Sequence, residues 1–579
     1  MDNLFYPCLV RYYVTGRDNY LIYNLNKKEL SFITKEEAKK ISAFSCCQTP
    51  DEIDNSFIKN LESVLKTEPK SSAIKENKKD FSVSVITNDR PQFLKAAIET
   101  IVNALAKHNV KIPITVFDDS VETTIADQNS ETVKQTSENL YPNISYFGKK
   151  EKDSFLDALF KKTEAHGIEK KLLDFALYGR DEFKICKGPG GNRNISILKS
   201  AGKKIISFDD DIEIISNAEK RDASFSNKDI SFDKNPEAEL FDDMKKAEKI
   251  LSNFDKDPLA SFFETTGAYT KELLEDAINS GAKIDTEEFR ADTGYSIEKT
   301  GGKIIATMAG LYGGRWFSRI GKIYTNNGAN RTRFYKKKSV YQNIKKNPLV
   351  SLFSSSIRIS NAPLLITSAY SIDLSGITAP PFPPSGRNED SIWALLALYV
   401  NKNSFIAHIP AAVYHSEKNK KDLTEKNYSD ASADLGLINF LIIDYIKTRE
   451  SFFMLDPSLA YIGKHLRELS QYSVSDWLDM CNMVWMKYTG KFIEELENNL
   501  DIYKKKPKFW AADVIGYIEL LKKQALSPHN SLPSEFRAGN SIEDACKLHK
   551  LFLGEYGKLL EAWPSIMEAA YAVSGEKKA

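Results

Sequence analysis

Cysteine is scarce in this 579-residue chain: six residues (Cys8, Cys46, Cys47, Cys186, Cys481 and Cys546) and no CxxC pair. That excludes a disulfide scaffold, and free thiols in a reducing cytoplasm are expected. Long apolar runs are missing as well. The greasiest segment, Leu435 to Ile446, is broken by Asn439 and Asp444, stops well short of the about 20 residues that cross a bilayer, and reads as a core helix. The opening MDNLFYPCLVRYYV lacks the basic start and apolar core of a signal peptide, so the expected location is cytoplasmic. An excess of charge is absent too, with 80 Lys plus Arg against 79 Asp plus Glu. This balance excludes a chain that coats a polyanion, and no nucleic-acid partner is expected. At 42% hydrophobic and 27% charged, intrinsic disorder is excluded. Zinc-ligand spacings, a P-loop and a GxSxG element do not occur.

What is present divides into parts, and the length calls for two to four domains. Residues 4 to 33 alternate aromatic or β-branched residues with polar ones around a turn at Gly16 to Asn19, the pattern of a β-hairpin with room for a third strand. Helical spacing follows from Thr34 and again from Asp51. Residues 1–65 thus read as a small strand-then-helix module, and 66–80, KTEPKSSAIKENKKD, as a linker. Next come FSVSVIT, a helical stretch from Pro91 to about Lys107, and PITVFDDS ending at Ser120. Strand, helix, strand with short connections is a right-handed βαβ unit. A second unit runs through NRNISILKSAG into KKIISFDDD. Both strands end in carboxylates, so Asp118, Asp119 and Asp209 to Asp211 should converge where open α/β sheets bind ligands. From about 430 the spacing is helical almost to the end, giving boundaries of 81–428 for the sheet domain and 429–579 for a helical domain.

Taken in order, VSVITNDRPQFL, ITVFDDS, GPGGNRNISILKSAGKKIISFDDD, FPPSGRNEDSIWALL and HIPAAVYH resemble a GT-A glycosyltransferase of the family 2 type, over about residues 81 to 417. The resemblance implies an α/β fold: a GT-A (Rossmann-like, mostly parallel sheet) core, here with a small N-terminal α+β winged-helix-like module and a C-terminal all-α region. It also implies transfer of a sugar from a nucleotide-diphosphate donor, a UDP-sugar, to a glycan or peptide acceptor. Asp211 and Asp209 match the metal positions and His415 the third ligand, with His408 as its competitor. The cofactor is then Mn²⁺ or Mg²⁺, which would stabilise charge on the leaving diphosphate. Donor contacts fall on Thr87, Arg90, Asp118, Asp119, Arg193, Asp209 and Asp210, with Gly190 and Gly191 letting the backbone come close. Asp390 matches the base of the ED element and Glu389 its support, which implies inversion. Gly313, Gly314, Trp316 and Arg387 fall on the acceptor side.

Each assignment has a plainer reading. Three aspartates can cap a strand, Glu389 and Asp390 can cap a helix, the glycines can form an ordinary loop, and Trp316 can be core. The basic stretch Arg331 to Lys346 reads as a solvated face or a loop near the diphosphate. The N-terminal hairpin with its TPDEI step resembles PqqD-like winged-helix domains, which implies a leader peptide held as an added strand; a plain structural or oligomerisation module is the alternative. For the whole chain the alternatives are a catalytically inactive scaffold or peptide-binding protein, and a nucleotidyltransferase, whose glycine-rich basic loop is missing from SVITNDRP.

Overall fold

The computed structural model describes residues 10–14, 19–24, 29–34, 80–179, 188–214, 228–233, 237–241, 245, 258–313, 321–325, 335, 337–346, 349–416, 436–450 and 457–574. Strands β1 (Val10–Val14), β2 (Asn19–Asn24) and β3 (Glu29–Thr34) form an antiparallel three-stranded sheet, pairing Val14 with Tyr20 and Asn24 with Glu29. The helices expected after Thr34 and the linker up to residue 79 lie outside the described residues.

Thirteen strands make the large sheet: β4 (Phe81–Thr87), β5 (Ile114–Asp118), β6 (Ile144–Phe147), β7 (Lys204–Asp209), β8 (Ile212–Glu213), β9 (Ile230–Phe232), β10 (Glu237–Phe241), β11 (Ile284–Asp285), β12 (Lys303–Gly313), β13 (Leu349–Phe353), β14 (Ile357–Ser360), β15 (Ala369–Asp373) and β16 (Ser404–His415). Among the described residues, the helices of eight residues or more are α1 (Pro91–Lys107), α2 (Thr123–Asn139), α3 (Lys149–Thr163), α4 (Lys170–Tyr178), α5 (Gly190–Lys199), α6 (Pro258–Thr265), α7 (Thr270–Asn279), α8 (Ala291–Thr300), α9 (Lys338–Lys346), α10 (Glu389–Val400), α11 (Leu437–Glu450), α12 (Leu459–Ser470), α13 (Val474–Ile502), α14 (Lys508–Ala525) and α15 (Ile542–Ser574).

The order β7-β4-β5-β6 is parallel throughout. FSVSVIT explains why: Phe81, Val83 and Val85 on one face, and Ile86 with the small Ser84 on the other, are buried, as a helix-covered parallel strand must be. Helix α1 starts on Pro91 at a position that needs no hydrogen bond, and buries Leu94, Ile98, Ile101 and Leu105 against the sheet. Beyond β7 the sheet becomes mixed. Strand β15 is antiparallel to both β7 and β12, and β16 returns parallel to β12.

Two apolar layers cover the sheet. One joins Val83, Val85, Val116 and Phe208 to α1 and to Phe262 of α6. The other joins Ile86, Phe117, Ile205 and Ile372 to α3, α4, α5 and α10, and continues without a break into Leu553, Tyr556, Leu560 and Trp563 of α15. The C-terminal helices therefore share the sheet's core. Hydrogen bonds fix the contact: Trp563 Nε1 donates to the Ala379 carbonyl (2.7 Å) and Tyr556 Oη to that of Pro381 (2.9 Å). Over its described residues the basic stretch ending at Lys346 has the expected solvated face, with Lys337 and Lys338 exposed, but Lys338–Lys346 is a helix with a packed side and not a loop. Tyr335, Tyr341 and Ile344 are buried with Trp510 and Val514 of α14, and Lys345 pairs with Asp513 at 2.6 Å. Its lysines hid this, because the aromatic residues between them carry the packing.

Candidate functional site

The parallel strands end together, with Thr87 of β4 opposite Asp118 of β5 and Ile86 opposite Asp209 of β7. Strand ends with these sequences deliver five carboxylates, Asp118, Asp119 and Asp209 to Asp211, to one edge, and their surroundings separate them. Asp118 is 3% exposed and turned inward. It accepts from the Ser120 amide (2.7 Å), Asn129 Nδ2 (2.9 Å) and Tyr146 Oη (2.8 Å), which leaves it to hold the loop. Asp119 instead meets Lys152 at 2.5 Å, a lysine 1% exposed at the start of α3. Asp89, at φ 55°, accepts from the Val121 amide and so ties the loop after β4 to the loop after β5. An Asp tolerates that left-handed backbone better than most residues.

The triplet after β7 is stitched on both sides. The Asp210 amide donates to the Ile86 carbonyl (3.0 Å). Strand β8 then pairs antiparallel with the end of β16, placing Ile212 opposite His415, while the Ser416 amide donates to the Asp211 carbonyl (2.8 Å). That pairing sets His415 Nε2 3.5 Å from Asp211 Oδ2. His408 lies elsewhere on β16, buried opposite Met308 and Arg358 with Nε2 3.4 Å from the Leu364 carbonyl. Burial and Arg358 drive its pKa down to about 4, so it is a neutral structural histidine near neutral pH. Gly313 pairs with His415; at φ 105° a side chain there would strike the Tyr414 ring. Gly314 and Trp316 lie outside the described residues.

Cations crowd the triplet. Arg90 reaches Asp210 Oδ1 at 2.7 Å and Asp211 Oδ2 at 2.6 Å, and Thr87 Oγ1 donates to Asp210 Oδ2 at 2.7 Å. Thr87 and Arg90, expected to touch a donor, thus brace the aspartates. Burial pushes Asp210 up to about 7 despite Arg90. Asp211 is also buried, but the His415 hydrogen bond and charge, with Arg90, outweigh desolvation and hold it at about 2. Among the described residues no three His, Cys, Asp or Glu side chains are grouped to hold a metal ion by themselves. Asp211 Oδ1 is buried without a hydrogen bond. A carboxylate oxygen in that state beside an imidazole fits a divalent cation whose remaining ligands come from a bound diphosphate.

The glycines of GPGGNRN act on another backbone. A Cβ on Gly190 would lie 1.9 Å from the Pro383 carbonyl oxygen, on Gly188 2.2 Å from that of Gly386, and on Gly191 2.6 Å from that of Leu177. Gly188 and Gly190 let the proline-rich segment before α10 lie against the start of α5, and Gly191 lets the end of α4 do so, where a ligand had been expected to approach. Asn194 locks the contact: its amide donates to the Phe382 carbonyl (2.9 Å) and accepts from the Phe382 amide (2.8 Å). One residue earlier, Arg193 is 2% exposed. It contacts Asp209 Oδ1 (3.1 Å), Glu389 Oε1 (3.6 Å) and the Thr367 carbonyl (3.3 Å), with its guanidinium 5.8 Å from the centre of the Tyr370 ring.

Glu389 and Asp390 begin α10, after Asn388 at φ 66°. Glu389 is buried against Arg193; Asp390 is partly buried, accepts from the Ser391 amide (2.8 Å), and is pushed up to about 7 by burial and by the Glu389 charge. Arg387 is exposed. Sequence reasoning missed Lys152, Asn194 and Tyr370. Lys152 carries no signal within KKEKD, whereas Asn194 stands in a motif already singled out and was legible as a polar residue on a buried helix face.

No protein-family profile matches the chain, and no curated protein matches it. Among solved structures it is similar to one titled "Crystal structure of S. aureus TarS 1-349", at 14% identity over 77% of this chain and 90% of that one, with a TM-score of 0.25. A similarity of that size carries no argument about this chain. Among the described residues, no helix is long and apolar enough to cross a membrane.

Proposed function

We propose that the protein is a GT-A-type glycosyltransferase that moves a sugar from a nucleotide-diphosphate donor to a hydroxyl of a glycan or peptide acceptor. One observation carries this reading. Buried Arg193 touches Asp209 and Glu389 at once, so the DDD and NED elements, far apart in sequence, share one crevice at the carboxyl ends of parallel strands. Such a crevice can hold a donor on one side and activate an acceptor on the other.

Asp211 and His415 would hold Mn²⁺ or Mg²⁺ with the donor diphosphate, and the ion would neutralise charge on the leaving group. Arg90 and Thr87 keep the aspartates at one spacing. Asp119, fixed by Lys152, is available for the ribose or base of the nucleotide as a charged acceptor of hydrogen bonds. Asp390 takes the proton of the attacking hydroxyl; a carboxylate raised to about 7 is ionised in part at neutral pH and basic enough to accept it. Attack from the Asp390 side, opposite the diphosphate, inverts the anomeric centre. Gly313, next to His415, and Arg387, just before α10, belong to the acceptor side in this reading.

One observation favours a second reading, a binding protein on the same core without turnover: the Arg90 guanidinium already neutralises Asp210 and Asp211. Hydrolysis screened across a panel of nucleotide sugars with Mn²⁺ separates the two. Release of nucleotide diphosphate from at least one donor, abolished by Asp211→Asn, is expected of the transferase. No release from any donor supports the binding protein.

A further inference from the structure

Outside the crevice, the strongest feature is a basic face. Residues 314–346 hold ten Lys or Arg and no Asp or Glu, and residues 503–508 read YKKKPK. The fold brings the described parts of these stretches to one place. Tyr335 and Tyr341, which flank Lys337 and Lys338 in the chain, pack on Trp510 (5.6 Å between ring centres) and Phe509 (5.2 Å), and Tyr503 meets the same Trp510 at 6.2 Å. Lysines from both stretches therefore surround one aromatic cluster. Lys337, Lys338, Lys504, Lys505 and Lys508 are exposed, and none of these five pairs with a carboxylate among the described residues. Lys504 and Lys505 also hold left-handed backbone, at φ 48° and 53°. A helix end such as that of α13 at Ile502 is satisfied by one or two cations. Five exceed that need and repel one another without an anionic partner.

The surroundings select the partner. Tyr335, Tyr341 and Trp510 are buried and Tyr503 and Phe509 only partly exposed, so the cluster presents no open ring face of the kind on which a nucleobase stacks. The large exposed apolar group beside the lysines is instead aliphatic: Ile502, 68% exposed, two residues before Lys504. Lysines with long apolar stems around a projecting aliphatic side chain fit a bilayer surface, where the stems and the isoleucine enter the headgroup layer and the ammonium groups meet phosphates. Clusters of four to eight such cations are the sequence-readable mark of anionic lipid recognition. We propose that the face formed by Lys337 and Lys338 at the start of α9 and by Lys504, Lys505 and Lys508 between α13 and α14 binds the anionic headgroups of a lipid surface, so that the protein works docked on a membrane without spanning it. The five lysines are separate from the carboxylate crevice, and the proposal stands whether or not that crevice transfers sugars.

Flotation of the full chain with phosphatidylcholine vesicles, with and without phosphatidylglycerol, tests this directly. The protein is expected to float with the phosphatidylglycerol vesicles at low salt, to stay behind with phosphatidylcholine alone, and to be released as salt rises. Charge reversal at Lys337, Lys338, Lys504 and Lys505, each to Glu, should lower partitioning by about 600-fold or more, each lysine supplying about fivefold. Far-ultraviolet circular dichroism is expected to be unchanged, since all four are exposed. Ile502→Ser should weaken binding at every salt concentration. The proposal is overturned if the wild type ignores phosphatidylglycerol vesicles, if the fourfold variant floats like the wild type, or if the wild type binds poly(U) RNA while leaving vesicles alone.

Discussion

The two carboxylate groups of the crevice use the same residue types and differ in what surrounds them. After β7, Asp211 is ringed by Arg90 and His415 and stays ionised far into acid. At the start of α10, Asp390 has a carboxylate neighbour and backbone amide donors, and burial with the Glu389 charge pushes it up to about 7. Glu389 takes the direct contact with Arg193, and the Arg193 charge lowers the Asp390 pKa by less than burial and Glu389 raise it. The lesson is that burial and the charges next to each group, and not residue identity, set these carboxylates apart: His415 and Arg90 hold Asp211 ionised, while burial beside Glu389 raises Asp390.

The sharpest way to break that contrast is Asp390→Asn. Transfer should fall by about 100- to 10,000-fold, the usual worth of a general base, while calorimetric binding of donor stays within about twofold; weakened donor binding would place Asp390 on the donor side instead. A smaller effect is expected of Gly190→Ala, which puts a methyl group against the Pro383 carbonyl. Overpacking there should cost about 1–3 kcal/mol in urea denaturation and disturb transfer through the Arg193–Glu389 contact. The wild-type pH profile comes next. Burial favours the neutral acid of Asp390, so the base form is lost below its pKa, and transfer should rise with pH through about 7. Asp390→Asn should flatten that limb, and a limb that survives the substitution assigns it elsewhere. Smallest is Arg387→Ala, exposed before α10, with a rise of about fivefold in acceptor KM, ~1 kcal/mol, and kcat retained.

Much of this arrangement was legible beforehand because it rests on local signals. The strands at Phe81, Ile114 and Lys204 and the helix from Pro91 to Lys107 follow from apolar runs, a Pro at a helix start and carboxylates at strand ends. Preference for His415 over His408 came from a motif position, and the short β8–β16 pairing supplies its physical basis. Less legible was what depends on long-range pairing. No local pattern tells that β15 runs antiparallel to β7 or that Trp563 caps the Ala379 carbonyl. The glycines of GPGG were recognised as sites of close approach, but whether a ligand or the Pro383 backbone approaches is decided by a segment almost 200 residues away. Asp118 and Asp119 are adjacent and chemically alike; only the strand's alternation, with Asn129 and Tyr146 on one side and Lys152 on the other, distinguishes them.

The central claim, that the triplet end of the crevice receives the donor with a cation while the Asp390 end acts on the acceptor, is tested most directly by calorimetric titration with UDP and Mn²⁺ of the wild type, Asp211→Asn and Asp390→Asn. Metal-dependent binding in the wild type and Asp390→Asn, lost in Asp211→Asn, is the expected result. Metal-dependent binding that survives in Asp211→Asn, or UDP binding unaffected by Mn²⁺ in the wild type, would contradict it.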